Sequence, residues 1–224
     1  MASPIQFEDS LDCKIPVRYD LMTEKQAEKF YERLSRLAEP KLSRQMRRKE
    51  VRFRVKAKEY KNKIIYDDFQ RIYFEQYFQR IGVLSLTEDN CSDDMWIKYA
   101  DNHEGFCIGY NSRILFEYLG GGAEVEYFDE IPILLPDPIM NSDEIRYKQI
   151  FFKERKWEYE SEYRTQKFWP NGATNEDRNI VIPKEAFHSV ILGKRMSTED
   201  KAEIIREITD NIGLIDVIDH ENIC

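Results

Sequence analysis

Near Gly82 the apolar residues of this chain change period, and that change limits the folds open to it more than any other feature. Upstream, they recur at helical spacing. Thr23 followed by Gln26 reads as a capping box, each side chain satisfying a free amide at a helix start. Ala27, Phe30, Tyr31, Leu34, Leu37 and Ala38 then make one apolar stripe, which Pro40 ends. A second helix is expected over residues 65–80, with Ile65, Phe69, Ile72, Tyr73 and Tyr77 on one face. Between them, residues 51–58 alternate with a period of two, a strand signal, but their flanks favour helix and helix is the expectation.

Downstream the apolar runs are short and broken by Gly and Pro. They predict strands over 83–87, 106–110, 123–128, 162–168, 179–182, 189–192 and 214–218. Helices are expected over 94–102, over 112–119, from Ser142 to about Lys156, and from Ser197 to Gly213. Pro132, Pro136 and Pro138 mark an irregular loop, and Gly120-Gly121-Gly122 reads as a turn, since it lacks the flanking pattern of a phosphate-binding loop. Helices first and interleaved strands later predict an α+β fold with a mixed, largely antiparallel sheet. The expectation is one domain over 1–224, with a mainly helical part at 1–81 and an α+β core at 82–224.

The charge is uneven. Residues 41–63 hold eleven Lys or Arg against two Glu, a local +9; the chain's net −8 less this +9 leaves −17 for the rest. Such an acidic body excludes a blanket nucleic-acid binder. It leaves a local contact at 41–63 with nucleic acid or an acidic protein, carried by Arg47, Arg48, Arg52 and Arg54. The plainer alternative is a solvated helix that offsets part of its own acidic domain. The four cysteines, Cys13, Cys91, Cys107 and Cys224, have no metal-ligand spacing, so reduced thiols in a cytoplasm and no metal site are expected. No apolar run approaches the length of a membrane span, no signal segment opens the chain, and Cys224 is not placed for prenylation.

Two stretches concentrate chemically useful side chains. On a helix through 94–102, Trp96, Tyr99 and His103 share one face, an aromatic wall beside a proton-transfer group. The alternative is a helix packing its aromatics inward with His103 as a capping residue. In an extended chain, Glu160, Glu162 and Arg164 project to one side and Tyr163 to the other. Two neighbouring carboxylates are expected to raise at least one pKa while the Arg keeps the other ionised, which suits stabilisation of a developing positive charge. The alternative is an exposed strand face laced with ion pairs.

These residues carry a resemblance. Met95-Trp96-x-x-Tyr99-Ala100-Asp101-x-His103-x-Gly105-Phe106-Cys107-Ile108, then Lys153-x-x-x-Trp157-x-x-Glu160-x-Glu162-Tyr163-Arg164, then Val190-Ile191-Leu192-Gly193, resemble the bacterial domain-of-unknown-function family 2971. The opening residues 2–13 resemble that family's Phe-Asn-Asp-Pro-Phe-Asp box, departing at Glu8, Ser10 and Leu11. The resemblance implies a further N-terminal strand that this chain begins too late to contain. Glu160-Ser161-Glu162 is also similar to the E-x-E element of ADP-ribosyltransferases, and Ser85-Leu86-Thr87 to their S-x-[ST] element. That similarity implies an NAD-dependent transferase or glycohydrolase, of the kind used in stress or phage defence. In it Glu162 would be catalytic, Glu160, His103 and Arg164 would assist, and Ser85, Thr87, Trp96, Tyr99 and Trp157 would bind NAD. Two other readings remain open: a non-enzymatic nucleic-acid- or protein-binding domain using 41–63, and a nuclease-like hydrolase using His103 with Glu160 and Glu162.

Overall fold

The computed structural model describes residues 1–224. In chain order the elements are α1 (Glu24–Ala38), α2 (Arg44–Lys56), α3 (Lys63–Arg80), β1 (Ile81–Thr87), α4 (Asp93–Tyr99), β2 (Phe106–Tyr110), α5 (Ser112–Leu119), β3 (Ala123–Glu124) and β4 (Glu126–Phe128). They continue as α6 (Ser142–Phe151), β5 (Phe152–Glu154), β6 (Glu162–Phe168), α7 (Asn175–Arg178), β7 (Phe187–Leu192), α8 (Thr198–Asn211) and β8 (Asp216–Asp219). The fold is α+β, as expected.

The helical part follows its local signals. Thr23 accepts from the Gln26 amide while Gln26 caps back, the reciprocal box that the sequence predicts for α1. Ala27, Phe30 and Tyr31 of α1 meet Val51 and Val55 of α2 in one buried cluster, with Val17, Tyr19 and Met22 closing it from the preceding loop. Residues 51–56 are helical. Val51 and Val55, one turn apart, supply the buried row, while Arg52 faces outward and Arg54 is half-buried over the Tyr31 ring. Leu37, expected in the α1 stripe, is 72% exposed.

The strands form three small sheets rather than one. The first has the order β1-β6-β3 and is antiparallel throughout. In the second, β2-β7-β8, β7 pairs antiparallel with β2 and parallel with β8. The third is the parallel pair β4-β5. The single strand expected over 123–128 is therefore split at Val125, each half joining a different sheet. The helix expected from Ser142 to Lys156 is capped by Asn141 and stops at Phe151. Residues 152–154 then pair as β5, and Arg155–Glu160 form a 3-10 turn, because strand pairing outweighs the helix propensity of this Lys/Glu-rich run. No strand forms over 179–182.

No helix is long and apolar enough to cross a membrane. The expectation of four reduced thiols fails at one pair: Cys91 and Cys224 are disulfide-linked across 133 residues, while Cys13 and Cys107 are free. Pairing at that separation leaves no spacing signal, since it exists only once β8 has returned to the side of α4.

Candidate functional site

Arg164 lies on the central strand of the first sheet, opposite Ser85 of β1 and Ala123 of β3. Those small neighbours leave its face open to α6 and to residues 12–13, and the side chain is wholly buried. A guanidinium there needs partners for its N–H groups and its charge. Its Nε donates to Glu162 Oε1 at 2.6 Å, its Nη2 to Glu162 Oε2 and to Asp12 Oδ2 at 2.9 Å each, and its Nη1 to the Ile150 carbonyl at 2.7 Å.

Lys153 of β5 completes the network. Its ammonium donates to Glu162 Oε2 at 2.8 Å and to Glu160 Oε2, and lies 3.7 Å from Asp12. Glu160 reaches it from the end of the 155–160 turn through Ser161, whose left-handed backbone (φ 42°) redirects the chain into β6. The other Glu160 oxygen accepts from Lys98 Nζ at 2.9 Å and Tyr99 OH at 2.8 Å, both from α4. Three carboxylates thus face three cations, and Asp12, Lys153, Glu160, Glu162 and Arg164 are all buried.

The carboxylates meet, though not as one face of an extended chain, since Glu160 ends a 3-10 turn and the strand begins at Glu162, and their electrostatics are the reverse of the expectation. Burial, the largest single influence, pushes the pKa of both Glu160 and Glu162 up. Lys153, Lys98 and Tyr99 together for the first, and Arg164 with Lys153 for the second, outweigh it, and both end below the usual carboxylate value. The sequence reading omitted Lys153 and Asp12. Lys153 sits in the quoted motif, and its signal was the i+7 and i+9 spacing to Glu160 and Glu162, uninformative until 152–154 became a strand.

The aromatic wall divides. α4 ends at Tyr99, and Asp101, Asn102 and His103 follow with φ of 47°, 54° and 66°. This run of left-handed residues turns His103 away from the helical face predicted for it. Tyr99, 59% exposed, leans onto Glu160. His103 instead stacks on Trp96 at 5.6 Å between ring centroids, and its Nε2 lies 3.1 Å from Asp93. Trp96 and His103 therefore belong to a separate buried group with His220. Gly193 holds that turn: a side-chain carbon there would sit 2.1 Å from the His103 carbonyl, which explains a glycine after Val190-Ile191-Leu192.

Other expected binding residues are placed as follows. Trp157 is half-buried, donates from its indole to Asp9, and carries the Lys98 ammonium 3.9 Å above its ring centre. Thr87 lies opposite Glu162 in the β1–β6 register, but its hydroxyl serves the turn at Asp89, accepting from that residue's amide at 3.0 Å. Ser85, opposite Arg164, is exposed.

The basic segment forms a second candidate surface. Arg44, Arg48 and Arg52 recur every fourth residue along α2, a rise of about 6 Å per step. With Lys49 and Lys56 beside them, none has an acidic partner within salt-bridge distance. Arg44 and Arg48 line both of two adjoining hollows of about 400 and 600 Å³; Glu32 and Arg47 also line the first, Lys49 and Arg52 the second, and Lys56 neither. Arg36 of α1 extends the first hollow, and Phe53, 69% exposed, lines neither hollow but lies one helical turn from Lys49 and Lys56. Two of the four arginines expected at this contact have partners of their own, although Arg47 still lines the first hollow. Arg47 donates to the Glu39 carbonyl at 2.9 Å, and Arg54 pairs with Glu50 at 3.2 Å, because their positions on α2 face α1 and the helix's own acids.

No curated protein and no solved structure matches this chain. The matched segment of a family model runs from α4 to β6 and so includes Lys98, Tyr99, Lys153, Glu160, Glu162 and Arg164 of the buried network. Residues 95–165, roughly a third of the chain, match the model described as "Protein of unknown function (DUF2971)", and over this stretch the chain is similar to that family.

Proposed function

We propose that the protein binds single-stranded nucleic acid along α2. The observation that carries this reading is the row Arg44, Arg48, Arg52, with Lys49 and Lys56 alongside, exposed and without acidic partners on a chain of net charge −8. An acidic protein that leaves five cations unpaired on one helix face keeps them free for an anionic ligand. Backbone phosphates fit a cationic row, and the exposed Phe53 ring beside it offers a stacking surface for an unpaired base. Stacking of that ring on an unpaired base is the contact that would distinguish a nucleic acid from an acidic protein partner.

Titration of a labelled single-stranded oligonucleotide tests the proposal. Wild type should bind more weakly as salt rises, and the R44Q/R48Q/R52Q variant should lose about 2 from the log–log salt slope, three phosphates at about 0.7 each. Phe53→Ala should weaken single-strand binding by about 1–3 kcal/mol and leave duplex binding unchanged. Absence of binding by wild type at low salt would discard the reading. Binding of an acidic polypeptide instead would reassign the surface.

A second reading rests on the β1–β6 register, which sets Ser85 opposite Arg164 and Thr87 opposite Glu162. That register sets the S-x-[ST] element beside the E-x-E strand, although the Thr87 hydroxyl is turned to Asp89 rather than to Glu162. In an NAD-cleaving site of the E-x-E kind, Glu162 would stabilise the ribose cation left when the bond to nicotinamide breaks. Its cost is clear from the geometry: both Glu162 oxygens are held by Arg164 and Lys153, so substrate would have to displace one of them. Nicotinamide release from NAD by wild type, lost in Glu162→Gln, is the expected outcome; no release by wild type removes this reading. His103 packs with Trp96 and His220 rather than with the glutamates, which separates the groups a nuclease-like hydrolase would need together.

A further inference from the structure

We propose that Cys91 and Cys224 form a reversible thiol–disulfide exchange site, whose reduction by a dithiol frees residues 220–224 and uncovers the buried Trp96–His103 pair. Both cysteines are solvent-exposed, and exposed disulfides are the ones an attacking thiolate can reach. The two remaining cysteines are not: Cys13 is wholly buried and Cys107 half-buried.

The bond controls what lies beneath it. Cys91 is in the turn between β1 and α4, and Cys224 follows a 3-10 turn, His220–Asn222, that leaves β8. At the start of that turn the His220 ring stands almost perpendicular over both members of the stacked pair. Its centroid is 4.8 Å from Trp96 and 5.2 Å from His103, at angles of 87° and 82°. Beneath that ring Trp96 is 3% and His103 2% exposed. On one side His220 is held by β8 pairing with β7. On the other side the amides of Ile223 and Cys224 donate only to His220's own carbonyl, and the link to Cys91 anchors the segment across the fold.

The covered group is also poised to open. Residues 101–103 are three successive left-handed residues, a backbone that persists only when its surroundings hold it. His103 Nδ1 and His220 Nε2 are buried without a protein hydrogen-bond partner, so neither ring is fixed by a full set of bonds. In the exchange, a thiolate of the reductant attacks one sulfur, the other leaves as a thiolate and takes a proton, and the second reductant thiol displaces the mixed disulfide. Two cysteine thiols form, and the dithiol becomes its own disulfide.

Hydrogen exchange read by mass spectrometry, on the full chain before and after dithiothreitol, tests the proposal. Peptides covering 94–105 and 216–224 should exchange at least about tenfold faster after reduction, while the peptide covering 24–38 keeps its protection. Cys91→Ser should reproduce the reduced pattern and be blind to dithiothreitol. Three results would overturn the proposal: unchanged protection over 94–105, an equal rise across the chain including 24–38, or free thiols at both positions after the native protein is treated with diamide.

Discussion

Arg164 and Arg48 show two opposite uses of one side chain. Arg164 is wholly buried and donates to two carboxylates and a backbone carbonyl, whereas Arg48 stands in solvent without an acidic partner. The first belongs to a set of charges that cancel inside the protein, the second to a row that remains uncancelled at its surface. Desolvation explains the difference. A buried ion is tolerated only with its counter-ions and hydrogen bonds in place, so every member of the network depends on the others. A solvated ion costs almost nothing to leave unpaired, so a bare row on α2 is free to serve a ligand. Density of charge along the sequence therefore says little about use; what distinguishes the two regions is which charges are matched.

The comparison breaks first at Arg164. Arg164→Met should lower stability by about 3–5 kcal/mol in denaturant titration, because Glu162 and Asp12 would be left buried without it. Arg48→Met should change stability by no more than about 0.5 kcal/mol. Comparable losses from the two variants would show that the network is not the internal brace described.

Acid should separate the regions next. Glu160 and Glu162 are ionised in the fold with pKa values held below their ordinary 4.5, so their stabilisation is complete above that pH. It is lost as pH falls from there through the depressed folded values. Acid unfolding followed by circular dichroism should start below about pH 4.5. In Glu162→Gln the transition should be shallower, with fewer protons taken up; a wild-type transition above pH 6 would contradict it.

A smaller effect is expected at the rim of the network. Tyr99→Phe removes one hydrogen bond to Glu160 while Lys98 and Lys153 keep theirs, and should cost about 1–2 kcal/mol. The smallest belongs to α2, where R44Q/R48Q/R52Q should move the denaturation midpoint by about 0.5 kcal/mol or less while weakening nucleic-acid binding. A large stability loss there would mean that these arginines are structural after all.

Much of the helical part was legible in the sequence because its signals are local. Thr23 and Gln26 cap α1 through bonds spanning three residues, and Val51 and Val55 mark the buried row of α2. The alternation over 51–58 misleads only when its flanks are ignored. The site was half legible. Glu160, Glu162 and Arg164 were grouped by spacing and do meet, but the helix expected to run to Lys156 hid Lys153, and Asp12 is too distant in sequence to be read as a partner. His103 was misplaced because a helix was extended through residues that have left-handed backbone.

The sequence by itself determined the α+β class, the caps and stripes of the helices, the strand of Glu162 and Arg164, and the basic character of α2. Each rests on period, propensity or composition within a few turns of chain. Only the tertiary structure decided that two glutamates are neutralised rather than mutually repelling, that Trp96 and Tyr99 serve different neighbourhoods, and that Cys91 meets Cys224. Those outcomes depend on which distant groups share a low-dielectric interior, and a charge's environment is fixed by neighbours in space, which spacing along the chain does not encode.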